Sequence, residues 1–482
     1  MNAVWPVVPN LFRILDMKLT VRARKGINLG IAVTLLISVS GCGSGYVNER
    51  LNAPTVLPNM AIHNTGSRTE SFLQPLPAEA GDSERMPNSQ PPGPDKDGYF
   101  VGLAISGGGS RSANFATGCM FELQRIGILQ RVDCISCVSG GTLPAALYCL
   151  SPDSQWNPAT MQEKLTHAYA TDLLGDVLIP WNLLALCLGS ESRADLLAAD
   201  FDKFMFARNK RSLTFADLRS DRPRLFINCT DLETGLPFTF DNSNFNLLNS
   251  NLSRYPISYA AAASAAVPAI LHPVALRDFS TKFEEYYHLV DGGIYDNLGV
   301  QTLVESYEAR ASKQPDPFPH GALLIVIDAG VPVQSRVSDS AVPGLMESFL
   351  AGLGLSSAVL VNRASSATLK DLIVMHASGD YTTHDLRAFV DQLENDHYVE
   401  LRDQSGHQVR VVHLSLGQVG QLSNSQFGAT VNTIPTDFNI TSEDAYNLYK
   451  AASILFSQRF DEKLIPIAKE MEAVSGPATR PH

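Results

Sequence analysis

Val132-Asp133-Cys134-Ile135-Ser136-Cys137-Val138-Ser139-Gly140-Gly141-Thr142 is the stretch whose reading decides the fold. An apolar, β-favouring run stops at a serine followed by two glycines. Leu143-Pro144-Ala145-Ala146-Leu147-Tyr148 then reads as a helix. Strand, tight turn and helix make a nucleophile elbow, which lifts a serine hydroxyl out of the sheet. Gly140 and Gly141 supply the small residues such a turn needs. The helix start behind them favours an anion near the Ser139 hydroxyl. The usual glycine two residues before the serine is here Cys137.

Two further stretches flank the elbow. Upstream, the apolar run from Tyr99 leads into Ile105-Ser106-Gly107-Gly108-Gly109-Ser110-Arg111. Downstream stands Leu289-Val290-Asp291-Gly292-Gly293-Ile294-Tyr295-Asp296-Asn297. Between them lie Asn228-Cys229-Thr230-Asp231-Leu232-Glu233-Thr234-Gly235 and Ala261-Ala262-Ala263-Ser264-Ala265-Ala266-Val267-Pro268-Ala269. The five stretches, in this order from about Gly98 to Gly330, resemble the bacterial patatin-like phospholipase family.

The resemblance implies a three-layer α-β-α fold with a mostly parallel central sheet. It implies a serine acyl hydrolase acting on acyl esters of phospholipids or lysophospholipids. Ser139 and Asp291 would form a catalytic Ser-Asp dyad, and Gly107, Gly108, Gly109 and Ser110 the oxyanion loop. Backbone N–H groups of Gly108 and Gly109, joined by Ser110, are the expected donors, because glycines let a loop aim several amides at one point. The rival reading of the triple glycine is phosphate binding, but the Lys-Ser/Thr of a P-loop and the G-x-G-x-x-G spacing are both missing. Arg111 either contacts a substrate phosphate or pairs with a carboxylate to fix the loop; the glycine that often follows it in the family is here Ser112. A carboxylate is a weak base for an alcohol unless a sheltered site raises its pKa. Asp296 is the rival to Asp291, which on the bland reading only caps a turn. His288 lies three residues before Asp291, on the opposite face of a strand ending there. No metal or organic cofactor is implied, and no calcium loop pattern occurs. The alternative class is a non-catalytic lipid-binding or scaffold lipoprotein on the same fold.

The N-terminus supplies a membrane device. Residues 1–42 read as a signal peptide with its true start at Met17. Lys18, Arg22, Arg24 and Lys25 form a basic region, and Ile27 to Val39 an apolar one too short for a comfortable span. Val39-Ser40-Gly41-Cys42 resembles the bacterial lipobox, which makes Cys42 the lipidated residue. Gly43 in place of Asp then points to a periplasm-facing lipoprotein of the outer membrane. The net charge of −12 over 482 residues argues against a nucleic-acid partner and against attraction to anionic lipid. Lipid substrates and a membrane are the expected partners; the oligomeric state is not legible.

Residues 43–97, rich in Pro, Ser, Asn and Gly, read as a flexible linker. The catalytic domain is expected over 98–330, an α/β part completing it over 331–465, and a tail over 466–482. Residues 155–220 read as helical; within them the apolar run 173–188 is either a membrane-dipping lid or a core hairpin broken at Pro180. The Ala-rich run 260–269 reads as a helix closed by Pro268, with a packing role only. Later helices are expected near 298–311, 341–369, 383–395 and 441–460, and strands near 322–328, 372–376 and 409–414. Cys134 and Cys137, three apart on a strand, face opposite sides and read as buried thiols rather than a redox pair, as do Cys119, Cys149, Cys187 and Cys229.

Overall fold

The computed structural model describes residues 48–51, 97–177, 192–330 and 381–475, together with 179 and 182 and without 269, 314, 424 and 437. In chain order β1 (Tyr99–Ile105) leads to α1 (Gly109–Arg125), β2 (Cys134–Val138) and α2 (Thr142–Leu150). Helices α3 (Pro158–Leu165), α4 (Tyr169–Val177) and α5 (Arg193–Phe201) follow, then a small antiparallel pair, β3 (Ala207–Arg208) and β4 (Arg211–Ser212). Next come β5 (Arg224–Asp231), β6 (Pro237–Phe240), α6 (Asn242–Leu247), α7 (Ile257–Ser264), β7 (Val274–Asp278) and β8 (Glu285–Asp291). The short α8 (Gly293–Asp296), α9 (Val300–Ala311) and β9 (Gly321–Asp328) close the first part. Beyond it lie α10 (Thr383–Asp396), β10 (Tyr398–Arg402), β11 (Gln408–Ser415), α11 (Val419–Leu422), α12 (Ser425–Asn432), α13 (Ser442–Leu455) and α14 (Asp461–Ser475).

One sheet carries the strands in the order β10-β11-β9-β1-β2-β5-β8-β7, with β6 also on β5. The block β11-β9-β1-β2-β5 is parallel, and β10, β6, β8 and β7 are antiparallel additions. β1 is buried throughout, as a strand covered on both faces must be. Tyr99, Val101, Leu103 and Ile105 join one core with α1, α2, α7 and α13. Phe100 and Ala104 join the other core with α9 and Leu393 of α10. At Gly102 a Cβ would lie 2.5 Å from Leu303 Cδ1, so the glycine lets α9 sit directly on the sheet. Helices on both faces of a mostly parallel sheet make the three layers expected. Cys134 and Cys137 fall in opposite cores, and burial raises both thiols to about 12.

Several boundaries differ from the sequence reading. Within 155–220 the chain also makes the β3–β4 hairpin. α7 stops at Ser264, four residues before Pro268, because Ala265 leaves the helical region and the chain turns toward the site. Residues 466–475, expected as a tail, continue α14, and Ile467, Ala468 and Met471 are buried in the main core. Residues 48–51, inside the expected linker, are docked on the domain: Asn48 is buried and Arg50 bridges Ser250. Cys42, the signal segment, Cys187, most of 173–188, the helix near 341–369 and the strand near 372–376 lie outside the described residues. Among the described residues no helix is long and apolar enough to cross a membrane.

Candidate active site

β5 is the template on which the site is built. It pairs with parallel β2 through Val138 opposite Asn228. One residue further, Cys229 pairs with Asp291, the last residue of antiparallel β8. β6 pairs with Ile227 to Thr230 and so overlaps both partners, which puts it on the other edge of β5. β2 and β8 therefore share one edge and run head-on into each other. Ser139 leaves β2 where Asp291 ends β8.

The two side chains meet at that junction. The Ser139 hydroxyl lies near enough to the Asp291 carboxylate to favour its ionised form, and that carboxylate accepts the Gly293 N–H at 2.7 Å. Both residues are sheltered, at 6% and 7% exposure. Burial raises Asp291 from 3.8 to about 6, against the lowering effect of the Gly293 N–H and the Ser139 hydroxyl.

Ser139 takes φ 51, a left-handed conformation that non-glycine residues adopt only when their surroundings impose it. The elbow is imposed by packing. A Cβ on Gly140 would lie 2.0 Å from the Gly109 carbonyl oxygen, so elbow and glycine loop touch through backbone. The end of α7 completes the restraint. The Ser139 N–H donates to Ser264 Oγ at 2.8 Å, and that hydroxyl donates to the Asn228 carbonyl at 2.6 Å. The N–H groups of Asp291 and Gly292 donate to the carbonyls of Ala266 and Ser264 at 3.0 and 3.3 Å. One turn of chain thus holds both members of the pair. The Ala-rich run was expected to serve packing alone. Its Ser264 was inconspicuous in sequence because a serine among alanines carries no chemical signature of its own.

The glycine loop is anchored to β9. The Ser106 N–H donates to the Ile327 carbonyl, and Ser106 Oγ accepts the Ala329 N–H, both at 2.9 Å. Gly107 departs from the expectation of an oxyanion donor. Its N–H already donates to the Asn297 carbonyl at 2.9 Å, so it holds the loop to the turn after Asp291. Asn297 Oδ1 sits where a Cβ on Gly107 or Gly293 would fall, at 2.6 and 2.7 Å, which explains a glycine at each position. Among the described residues the N–H groups of Gly108, Gly109 and Ser110 have no backbone acceptor. Gly108 at φ 134 and Gly109 at φ 56 turn the chain into α1 at this point.

The remaining candidates fall into place around this core. Arg111 is buried, and its Nη1 donates to the Ile434 carbonyl at 3.0 Å. Burial lowers its guanidinium to about 10, against the charge of Asp328. Asp328 is in turn bonded to His413 at 3.2 Å, and that bond with Arg111 nearby holds it below the usual carboxylate range despite its burial. The loop-fixing reading of Arg111 expected a carboxylate partner; among the described residues its bond goes instead to the Ile434 carbonyl, and Asp328 acts on it only through charge. Asp296 accepts the N–H groups of Leu298, Gly299 and Gln301 at 2.9 to 3.1 Å and so organises the start of α9. His288 is bonded to Glu233 at the surface, and His272 to Arg193. Among the described residues no group of three His, Cys, Asp or Glu side chains is arranged to hold a metal.

The chain is similar to human GIVD cytosolic phospholipase A2, at 12% identity and a TM-score of 0.46, covering 78% of this chain and 61% of the human one. The same human protein in complex with methyl gamma-linolenyl fluorophosphonate gives 13% identity and 0.44, over 79% and 60%. VipD from Legionella pneumophila gives 12% identity and 0.28, over 78% and 74%. The chain thus spans under two thirds of the human phospholipase. No curated protein matches it in sequence. The family model of the patatin-like phospholipases matches residues 103–304, a range that begins in β1, ends in α9 and contains the glycine loop, the elbow and Asp291. Over those residues the chain carries a patatin-like phospholipase domain.

Proposed function

We propose that the protein is a serine acyl hydrolase that cleaves acyl esters of glycerophospholipids or lysophospholipids with a Ser139–Asp291 dyad. The observation that carries this reading is the meeting of Ser139 and Asp291 at the head-on junction of β2 and β8. Ionised Asp291 takes the hydroxyl proton as Ser139 Oγ attacks the acyl carbonyl. The carbonyl oxygen gains negative charge and receives the N–H groups of Gly108 and Gly109, with Ser110 beside them. Protonated Asp291 then gives its proton to the leaving alcohol as the ester C–O bond breaks, which leaves an acyl-serine. Water repeats the cycle: Asp291 takes its proton, hydroxide adds to the acyl carbon, and the fatty acid leaves as Ser139 regains its proton. A base near pKa 6 is a better match to neutral pH than an ordinary aspartate.

In this reading Cys42 carries lipid and holds the enzyme at the periplasmic face of the outer membrane, within reach of its substrates. A fluorophosphonate probe tests the chemistry. The adduct is expected on Ser139, found by peptide mass, and absent from Ser139→Ala. A folded protein that takes no adduct would refute the proposal.

A further inference from the structure

Residues 48–51 form a latch on the outer edge of the sheet. Asn48 Oδ1 accepts the Arg277 N–H at 2.7 Å, and Asn48 Nδ2 donates to the Arg277 carbonyl at 3.0 Å. One side-chain amide thus imitates a strand partner on the outer edge of β7. Asn48 Nδ2 also donates to Ser250 Oγ at 2.7 Å. The Leu51 N–H donates to the Asn249 carbonyl, and the Asn251 N–H to the Glu49 carbonyl, at 3.0 and 2.9 Å. Arg254 pairs with Glu49 at 2.9 Å.

The latch sits at the foot of the β7–β8 hairpin tip. Arg277 pairs with Tyr286, and Asp278 with Glu285, as the last rungs before the turn. β8 starts beyond the end of β5, since Leu289 is already opposite Asp231. The tip therefore projects past the carboxyl ends of the parallel strands, on the side where Ser139 emerges. Six residues of β8 separate it from Asp291, about 20 Å of strand. On that side large apolar residues face water: Phe283 at 76% and Tyr286 at 36% on the hairpin, Leu232 at 51% beside it, and Ile294 at 50% just after Asp291. The Leu232 N–H donates to the His288 carbonyl at 2.8 Å, which joins its turn to the same hairpin. Arg277 and Glu284 pair at 3.2 Å, and Lys282 stands with Asp278 and Glu285, so the tip mixes both signs with a small negative excess.

We infer that the hairpin tip with Phe283 and Tyr286 is a bilayer-docking surface, and that the latch sets it against the membrane. The inference rests on the reading of Cys42 as the lipidated residue. From Cys42 to Asn48 there are six peptide steps, which span at most about 20 Å. A chain anchored at Cys42 and clamped at Asn48 cannot hold the enzyme at the end of a long free linker. It holds the β7 edge next to the bilayer and turns the carboxyl end of the sheet, with the dyad, toward the lipid. A lipid chain and a small aromatic patch together give firmer attachment than either alone.

The test uses the full chain, matured in a bacterial membrane and reconstituted into vesicles of phosphatidylethanolamine and phosphatidylglycerol. Lys282→Cys, exposed beside Phe283 on the tip, and Val474→Cys, exposed on α14 toward the amino ends of the strands, are treated with a membrane-impermeant maleimide and read by peptide mass. On vesicles, position 282 is expected to react several-fold more slowly than position 474. A Gly/Ser spacer inserted between Val47 and Asn48, or Asn48→Ala, should relieve that protection while fatty acid on Cys42 is retained. Equal reactivity at 282 and 474 on vesicles, with Cys42 lipidated, overturns the docking surface. Absence of fatty acid on Cys42 overturns the anchor and this inference with it.

Discussion

The backbone N–H of Ser139 donates to the hydroxyl of Ser264, 2.8 Å away. In a strained turn an amide must find its acceptor outside regular secondary structure, and here the end of α7 supplies it. Ser264 then fixes where Ser139 sits relative to Asp291, because its own carbonyl holds the Gly292 N–H. Ser264→Ala leaves the Ser139 amide buried without a partner, which costs roughly 1–3 kcal/mol. The expected outcome is a kcat lowered about tenfold or more with KM nearly unchanged. Steady-state kinetics on a soluble ester decides it; an unaltered kcat would remove Ser264 from the positioning of the dyad.

Ser139→Ala and Asp291→Asn are each expected to reduce esterase activity to near background. His288→Ala should keep most activity, since His288 is engaged with Glu233 at the surface. Asp296→Asn should lower stability through the start of α9 more than it lowers kcat. Activity assays beside circular dichroism separate the two effects. A single histidine substitution as damaging as Ser139→Ala would replace the dyad with a triad.

Activity should rise with pH as Asp291 ionises, with a midpoint near its folded value of about 6. Stability should move the other way. Burial raises the folded-state value above the unfolded 3.8, so the contribution of Asp291 to stability is fully present below 3.8 and is lost as pH rises through about 6. Asp291→Asn should therefore stabilise the protein at pH 8 by on the order of 1–3 kcal/mol and have little effect below pH 4. Denaturant melts at the two pH values check the sign. A destabilised variant at pH 8 would contradict it.

Two glycines should fail in different ways. Gly108 has room for a side chain, with Ser112 Cβ the nearest atom at 3.4 Å, but its φ of 134 suits only glycine. Gly108→Val should fold and lose kcat by ~10²–10³-fold as the oxyanion donors are re-aimed. Gly140 has no room at all, since an added Cβ would lie 2.0 Å from the Gly109 carbonyl oxygen, so Gly140→Ala should disrupt the fold. Thermal melts and kcat on the same preparations discriminate the cases. A folded, fully active Gly108→Val would exclude the loop from the mechanism.

Arg111→Leu should lower stability by roughly 1–3 kcal/mol, because the Ile434 carbonyl loses its donor. The ratio of kcat/KM for a phospholipid to that for an uncharged ester should not change. A selective loss against the phospholipid would instead put Arg111 on the substrate phosphate.

The elbow was legible in its own residues because it depends on local backbone demands, while the glycine loop and the Asp-Gly-Gly turn were picked out by their resemblance to the patatin-like family. Serine before two glycines, glycines where the chain must turn sharply, and apolar runs long enough for buried strands all leave a mark within a few residues. The cysteine pair was legible for the same reason: a period of two sends Cys134 and Cys137 to opposite cores. What only the tertiary structure decided is long-range. That β2 and β8 share one edge of β5 depends on pairings of Val138 with Asn228 and of Cys229 with Asp291, far apart in the chain, which no local pattern encodes. The Gly107 amide was lost as an oxyanion donor to the Asn297 carbonyl, 190 positions away in the chain. Asn48 reads as one polar residue in a linker; it became a latch because β7 offers an outer edge with backbone groups to satisfy. Local sterics are written into neighbouring residues, whereas a hydrogen-bond acceptor is chosen by what the finished fold brings within 3 Å.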